Sequence, residues 1–98
     1  MGKQLEKSAL KKASSILRAV AHPIRLAIID TLASGECTVG HIASNTGTPQ
    51  ALTSQQLKIL RDHDILASRR DGNRVYYRIN NPAVLKVLAC LRRNNLIG

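Results

Sequence analysis

Between residues 3 and 21, apolar side chains recur at helical spacing. Leu5, Ala9, Ala13, Ile16, Leu17 and Val20 form one stripe, with Lys3, Lys7, Lys11, Lys12 and Arg18 around it. This predicts an amphipathic first helix. The register breaks at His22 and Pro23, because proline suits the first turn of a new helix and drives its predecessor out of the helical region. A second helix then carries Ile24, Leu26, Ile28, Ile29 and Leu32, with Gly35 placed to end it through a left-handed turn. Thr38 opens a short third helix holding Val39, Ile42 and Ala43, and Gly47 closes it. Thr48, as a hydroxyl cap before Pro49 at the first helical position, starts a fourth helix over residues 48 to 63. The connection around Gly47 has the length expected of a helix-turn-helix.

After Asp64 the period shortens. Ile65 to Arg70 and Arg74 to Ile79 read as two strands, the second alternating Val75, Tyr77 and Ile79 with Arg74, Tyr76 and Arg78. Asp71, Gly72 and Asn73 between them tolerate the positive φ that a tight hairpin requires. Asn81 and Pro82 open a last helix with the stripe Val84, Leu85, Leu88 and Leu91. The expected architecture is mainly α with a small β-hairpin, in the order α-α-α-α-β-β-α, as one winged helix-turn-helix domain over residues 1–98.

Composition narrows what such a domain would do. With 98 residues, no Trp or Phe and two Tyr, the core must come from Leu, Ile, Val and Ala, and a chain of this length buries a limited core unless it pairs with a second copy. Fifteen Lys and Arg against six Asp and Glu give a net charge of +9, which points to a polyanionic partner, nucleic acid or an acidic membrane surface. No apolar run is long enough to span a bilayer and the N-terminal stretch lacks a signal-peptide pattern, so a cytoplasmic protein without membrane association is expected. Cys37 and Cys90 are too few and too far apart for a disulfide framework or a zinc knuckle.

At 100° per residue, Leu52, Leu57, Ile59 and Leu60 gather on one side of the fourth helix. Gln50, Ala51, Ser54, Gln55, Lys58 and Arg61 lie on the other, while Thr53 and Gln56 fall toward the packed side. Short amide and hydroxyl groups suit base edges, and Lys58 and Arg61 are long enough for phosphates. Base reading is therefore assigned to Gln50, Ser54 and Gln55, with Thr48 and Ala51 beside them. A polar helix face is often just solvated. What favours DNA is the hairpin that follows, whose Arg69, Arg70, Arg74 and Arg78, with Asn73 at the tip, can lie along the backbone beside a groove-bound helix. The alternative for these arginines is protection of an edge strand by charge.

The terminal helices carry apolar stripes beyond what one small domain needs. Leu5, Leu10 and Leu17 on the first, and Val84, Leu88 and Leu91 on the last, are assigned to a homodimer interface that would set two reading helices about one DNA turn apart. An enzyme is not expected: His22, His41 and His63 sit on separate helices without local acidic partners, and there is no Gly-rich phosphate loop. His22 reads as a helix-junction cap and His63 as a helix-end group. An RNA-binding or basic structural protein is a further alternative, disfavoured by having only Tyr76 and Tyr77 as stacking platforms.

Three blocks, AHPIRLAIIDTLASGECTVGHIA, TSQQLKILRDHDIL and RRDGNRVYYRI, taken in order, resemble the ArsR/SmtB family of bacterial winged-helix repressors over nearly the whole chain. The resemblance implies a homodimer that binds an operator near its own promoter and leaves it when an inducer binds; with two reading helices in a dimer, the expected operator is an inverted repeat on double-stranded DNA. It also implies that Gln50, Ala51, Ser54 and Gln55 occupy the DNA-facing positions. Family metal sites do not carry over. Thr38 and Gly40 stand where cysteine ligands would, and the last helix offers Lys86, Arg92 and Arg93, with no Asp, Glu or His after Asp71. No metal site and no cofactor are expected, His41 and Cys37 forming at most a weak accidental pair. Some members sense oxidants or reactive sulfur with two cysteines. Cys37 lies several residues before the first such position and Cys90 well before the second, so a thiol-sensing repressor using this pair is the alternative function, with Lys86 and Arg93 as cations that would favour a Cys90 thiolate. The inducer itself is not legible.

Overall fold

The computed structural model describes residues 6–94, which form eight elements: α1 (Lys7–Val20), α2 (Pro23–Leu32), β1 (Cys37–Thr38), α3 (Val39–Thr46), α4 (Gln50–Asp62), β2 (Leu66–Asp71), β3 (Arg74–Ile79) and α5 (Ala83–Arg93). Leu5 and Lys3 lie outside the described residues. All five expected helices and both hairpin strands are present. Punctuation at the predicted junctions is specific. His22 Nδ1 accepts a hydrogen bond from the Ile24 amide at 3.2 Å, with Pro23 in the first turn of α2. The Thr38 hydroxyl accepts from the His41 amide at 3.2 Å and caps α3.

Gly47, at φ 65°, closes α3 in the left-handed region. Its amide donates to Ser44 O and the Thr48 amide to Ala43 O, the paired bonds of a Schellman motif. A second such motif ends α4 without glycine: Asp64 takes φ 58°, its amide donates to Arg61 O, and the Ile65 amide donates to Leu60 O. Leu60 and Ile65 are both fully buried, and they supply the apolar pairing that accompanies this cap.

Thr48 does not cap α4. Pro49 occupies the cap position and makes no side-chain cap bond; instead the Thr53 hydroxyl donates back to the carbonyls of Pro49 (3.0 Å) and Thr48 (3.3 Å). A β-branched hydroxyl one turn inside the helix thus bonds the first carbonyls from a fully buried position. The second unforeseen feature is β1. Its two residues pair antiparallel with β3, Cys37 opposite Tyr77 and Thr38 opposite Tyr76, giving a three-stranded sheet in the order β1-β3-β2. Two residues are too short for any alternation to be visible in sequence. The β2–β3 hairpin turns on Gly72 and Asn73, with Asp71 opposite Arg74. Gly72 has φ 62° while Asn73 stays out of the left-handed region, which distinguishes a II′-like turn from type I′.

The core is aliphatic, with one aromatic. Ile28, Ile29 and Leu32 of α2, Ile42 of α3, Leu57 and Leu60 of α4, Ile65, Leu66, Tyr77 and the end of α1 (Ala19, Val20) form one cluster. Val84 and Leu88 of α5 belong to it too, at 2% and 3% exposure. This corrects their assignment to an interface with a second copy: α5 turns these two side chains onto its own domain and leaves Leu85 and Leu91 half-buried. Leu10 and Leu17 of α1 are the reverse case. Seven residues apart on one face, each is half exposed.

Candidate nucleic-acid interface

α4 separates into two faces at the spacing its sequence predicts. Thr53, Gln56, Leu57 and Leu60 are buried, whereas Gln50, Ala51, Gln55, Lys58 and Arg61 are exposed and Thr48 and Ser54 half-exposed. The buried stripe packs α4 against α2 and α3, and the exposed stripe looks outward. The amide and hydroxyl groups, Gln50 and Ser54, lie in the N-terminal half. The cations, Lys58 and Arg61, lie in the C-terminal half. Leu52 and Ile59, predicted on the packed side, are half-buried at its margins.

The hairpin brings its tip to the same end of α4. A cleft of about 410 Å³ is lined by Thr38, Val39 and Gly40 at the start of α3, Gln50 and Ser54 of α4, and Asn73, Arg74 and Val75 of the hairpin. Two of the residues read as base-contacting and two of those read as backbone-contacting therefore border one concavity. Arg70 and Arg78 are exposed on the two strands. Arg69 is also exposed, but it is engaged. Its Nε donates to both Glu36 carboxylate oxygens at 3.0 Å and its Nη2 to Oε1 at 2.7 Å, while its guanidinium lies 4.4 Å from the Tyr76 ring centroid.

Sequence reasoning missed the residue that holds α4 in place. Arg25 of α2 donates from Nε to Gln56 Oε1 at 2.8 Å and from Nη1 to Ala19 O at 3.0 Å, joining α4, α2 and the end of α1 through one guanidinium. Gln56 is 9% exposed, so its amide would lack a partner without Arg25. The only signal in the sequence was a lone cation in the apolar run of α2 together with a Gln on the packed side of α4. A second brace joins α3 to α2, where Asn45 Nδ2 donates to Thr31 Oγ1 at 2.9 Å.

The two thiols sit apart from this face. Cys37 is half-buried in β1 and its Sγ–H donates to Gly35 O at 3.5 Å. Burial, and then the neighbouring Glu36 charge, push its pKa up, which favours the neutral thiol. Cys90 is exposed on α5, and Asn94 Nδ2 lies 3.7 Å from its Sγ. A polar cavity of about 560 Å³ is lined by Cys37 and His41 with Asp30, Glu36, Asn45 and Arg92. Both of its carboxylates are already paired, Asp30 with Arg92 of α5 and Glu36 with Arg69. Among the described residues no group of three or more His, Cys, Asp or Glu side chains is placed to hold a metal ion. Nor is any described helix long and apolar enough to cross a membrane.

Comparison with known proteins agrees with this arrangement. Residues 22–68, from the α2 cap through α4 to the start of β2, match the model of the arsR family of bacterial regulatory proteins. The chain is 38% identical over 90 residues to the HTH-type transcriptional regulator YgaV of Escherichia coli, covering 91% of this chain and 90% of that protein. It is 40% identical over 79 residues to the nodulation protein NolR of Rhizobium meliloti, covering 81% of this chain but 65% of NolR. The homodimeric winged helix-turn-helix DNA-binding domain Mb0332 of Mycobacterium bovis, solved by NMR, superposes with a TM-score of 0.78 at 33% identity, covering 97% of this chain and 90% of that one. With its helix-turn-helix, its hairpin and these relatives, the chain belongs to the arsR family of winged helix-turn-helix regulatory proteins.

Proposed function

We propose that this protein is a homodimeric, sequence-specific DNA-binding transcriptional regulator that acts as a repressor, with α4 read into the major groove and the β2–β3 hairpin lying along the flanking backbone. The observation that carries the reading is the shared cleft at the head of α4, where Gln50 and Ser54 meet Asn73 and Arg74. Gln and Ser are short, directional donors and acceptors that suit base edges, while Arg70, Arg74, Arg78, Lys58 and Arg61 supply charge for phosphates. Thr48, Ala51 and Gln55 complete the face turned to DNA. The domain relatives and the homodimeric neighbour support both DNA binding and self-association. In this assembly Leu10, Leu17 and Leu91, together with Leu5, would meet a second copy, and the operator would be an inverted repeat.

Nothing in the thiol geometry favours the alternative of a redox-sensing repressor over this one. Burial and then the Glu36 charge push the Cys37 thiol pKa up, which works against the thiolate that such sensing needs.

The test separates reading from anchoring. Gln50→Ala with Ser54→Ala should reduce discrimination between operator and unrelated duplex by about 1–3 kcal/mol for each base no longer recognised. Arg74→Ala should weaken binding to every duplex alike and lower the salt slope by about one. Titration of both variants against specific and mixed duplexes distinguishes the two effects. An equal loss on all sequences for the Gln50 and Ser54 variant would show that α4 does not read bases.

A further inference from the structure

Resting on the DNA-binding reading above, we propose that Arg69 is a positioning residue, not a phosphate contact: with Glu36 and Tyr76 it forms a clasp that fixes the angle of the wing relative to the reading unit. Arg69 lies on β2, the strand of the sheet farthest from β1, and Glu36 immediately precedes β1. Between them runs β3. Tyr76 of β3 pairs with Arg69 on one side and with Thr38 of β1 on the other. The guanidinium spans that middle strand by lying over the Tyr76 ring and grips the Glu36 carboxylate with Nε and Nη2.

Each end of this bridge is tied to an element that matters for DNA. Glu36 is two residues from Thr38, whose hydroxyl caps α3 and which lines the cleft at the head of α4. Arg69 is next to Arg70 on the strand leading to the hairpin tip. A two-stranded ribbon is free to twist and swing about its base. Here the short β1 pairing and the clasp both restrain it, from opposite edges of the sheet. The Nε–Nη2 edge of the guanidinium is committed to a carboxylate and one face to an aromatic ring, so the group is held in place and only Nη1 and the outer Nη2 N–H are left to offer a phosphate. The Arg69 hydrogen bonds hold the Glu36 carboxyl below its ordinary pKa; burial opposes them, and the charges of Arg69 and then Arg78 add to the lowering.

Substitutions at both ends of the clasp separate the roles. Arg69→Lys keeps the positive charge but loses the fork and the stacking surface, and Glu36→Gln keeps the size but loses the anion. As a positioning residue, Arg69 requires R69K to behave like R69A. Each should weaken operator binding roughly two- to five-fold, the range of an exposed ion pair, with the salt slope unchanged. E36Q should weaken it similarly although it removes a negative charge, and the E36Q/R69A double variant should be no worse than either single one. In the free protein, amide exchange across β2 and β3 should quicken in all three single variants. The proposal is overturned if R69K binds like the native chain while R69A lowers the salt slope by about one, if E36Q tightens binding, or if wing exchange is unchanged. Should no duplex be bound even by the native chain, the DNA-binding reading fails, and the exchange measurement in the free protein still decides whether the clasp orders the wing.

Discussion

On α4, adjacent residues of the same type have opposite fates. Gln55 is exposed and open to a partner, whereas Gln56 is buried and its amide oxygen receives Arg25. The difference is 100° of helix rotation, which sequence periodicity places well. The identity of the partner, 31 residues away, depends on how α2 crosses α4, and periodicity is silent on that. Gln56→Ala should lower stability by about 1–2 kcal/mol, because it leaves an Arg25 donor without its acceptor, and denaturant unfolding measures this. Asp64 makes a second residue-scale prediction. It holds a left-handed conformation costly for a residue with Cβ, and places a negative charge at the negative end of the α4 dipole. Asp64→Gly should therefore raise stability by about 0.5–1 kcal/mol in the same unfolding measurement, part of the gain being offset by the greater freedom of glycine in the unfolded chain.

Among the elements, those bounded by strong local chemistry were legible. His22–Pro23, Thr38, Gly47 and Asp71–Gly72–Asn73 each impose a backbone geometry within a few residues, and the chain breaks or turns at all of them. Two failures share a cause. The Thr48-Pro49 pair reads as a cap and first turn, but the helix starts later, at Gln50, where the buried Thr53 hydroxyl takes the carbonyls of Pro49 and Thr48. Strand β1 exists because β3 offers an edge for Cys37 and Thr38, not because two residues have a strand pattern. Packing partners decided both. The same holds for α5, whose stripe is periodic as expected but ambiguous in destination: Val84 and Leu88 go to the chain's own core. The candidate site was legible to the same degree. The exposed residues of α4 and the hairpin arginines follow from spacing and charge, while the engagement of Arg69 by Glu36 requires the sheet that brings position 36 beside position 69.

The whole molecule is elongated, with principal extents of 51 × 29 × 20 Å, and Leu10 and Leu17 stand exposed on one face of α1. Covering the exposed half of such a side chain contributes roughly 1 kcal/mol, about half the value for burying a whole leucine, and a symmetric pair of copies would cover both from each chain. Leu10→Glu with Leu17→Glu should therefore convert a dimer to a monomer in sedimentation equilibrium. It should also lower affinity for a two-half-site operator by roughly 100-fold or more, since each reading unit would then bind alone. Retention of the dimer would place the interface elsewhere. Whether two copies of α4 read a symmetric sequence is decided most directly by selection of bound duplexes from a random pool with the native chain. The expected product is an inverted repeat with half-sites about one helical turn apart; enrichment of no motif, or of a single unpaired half-site, would contradict it.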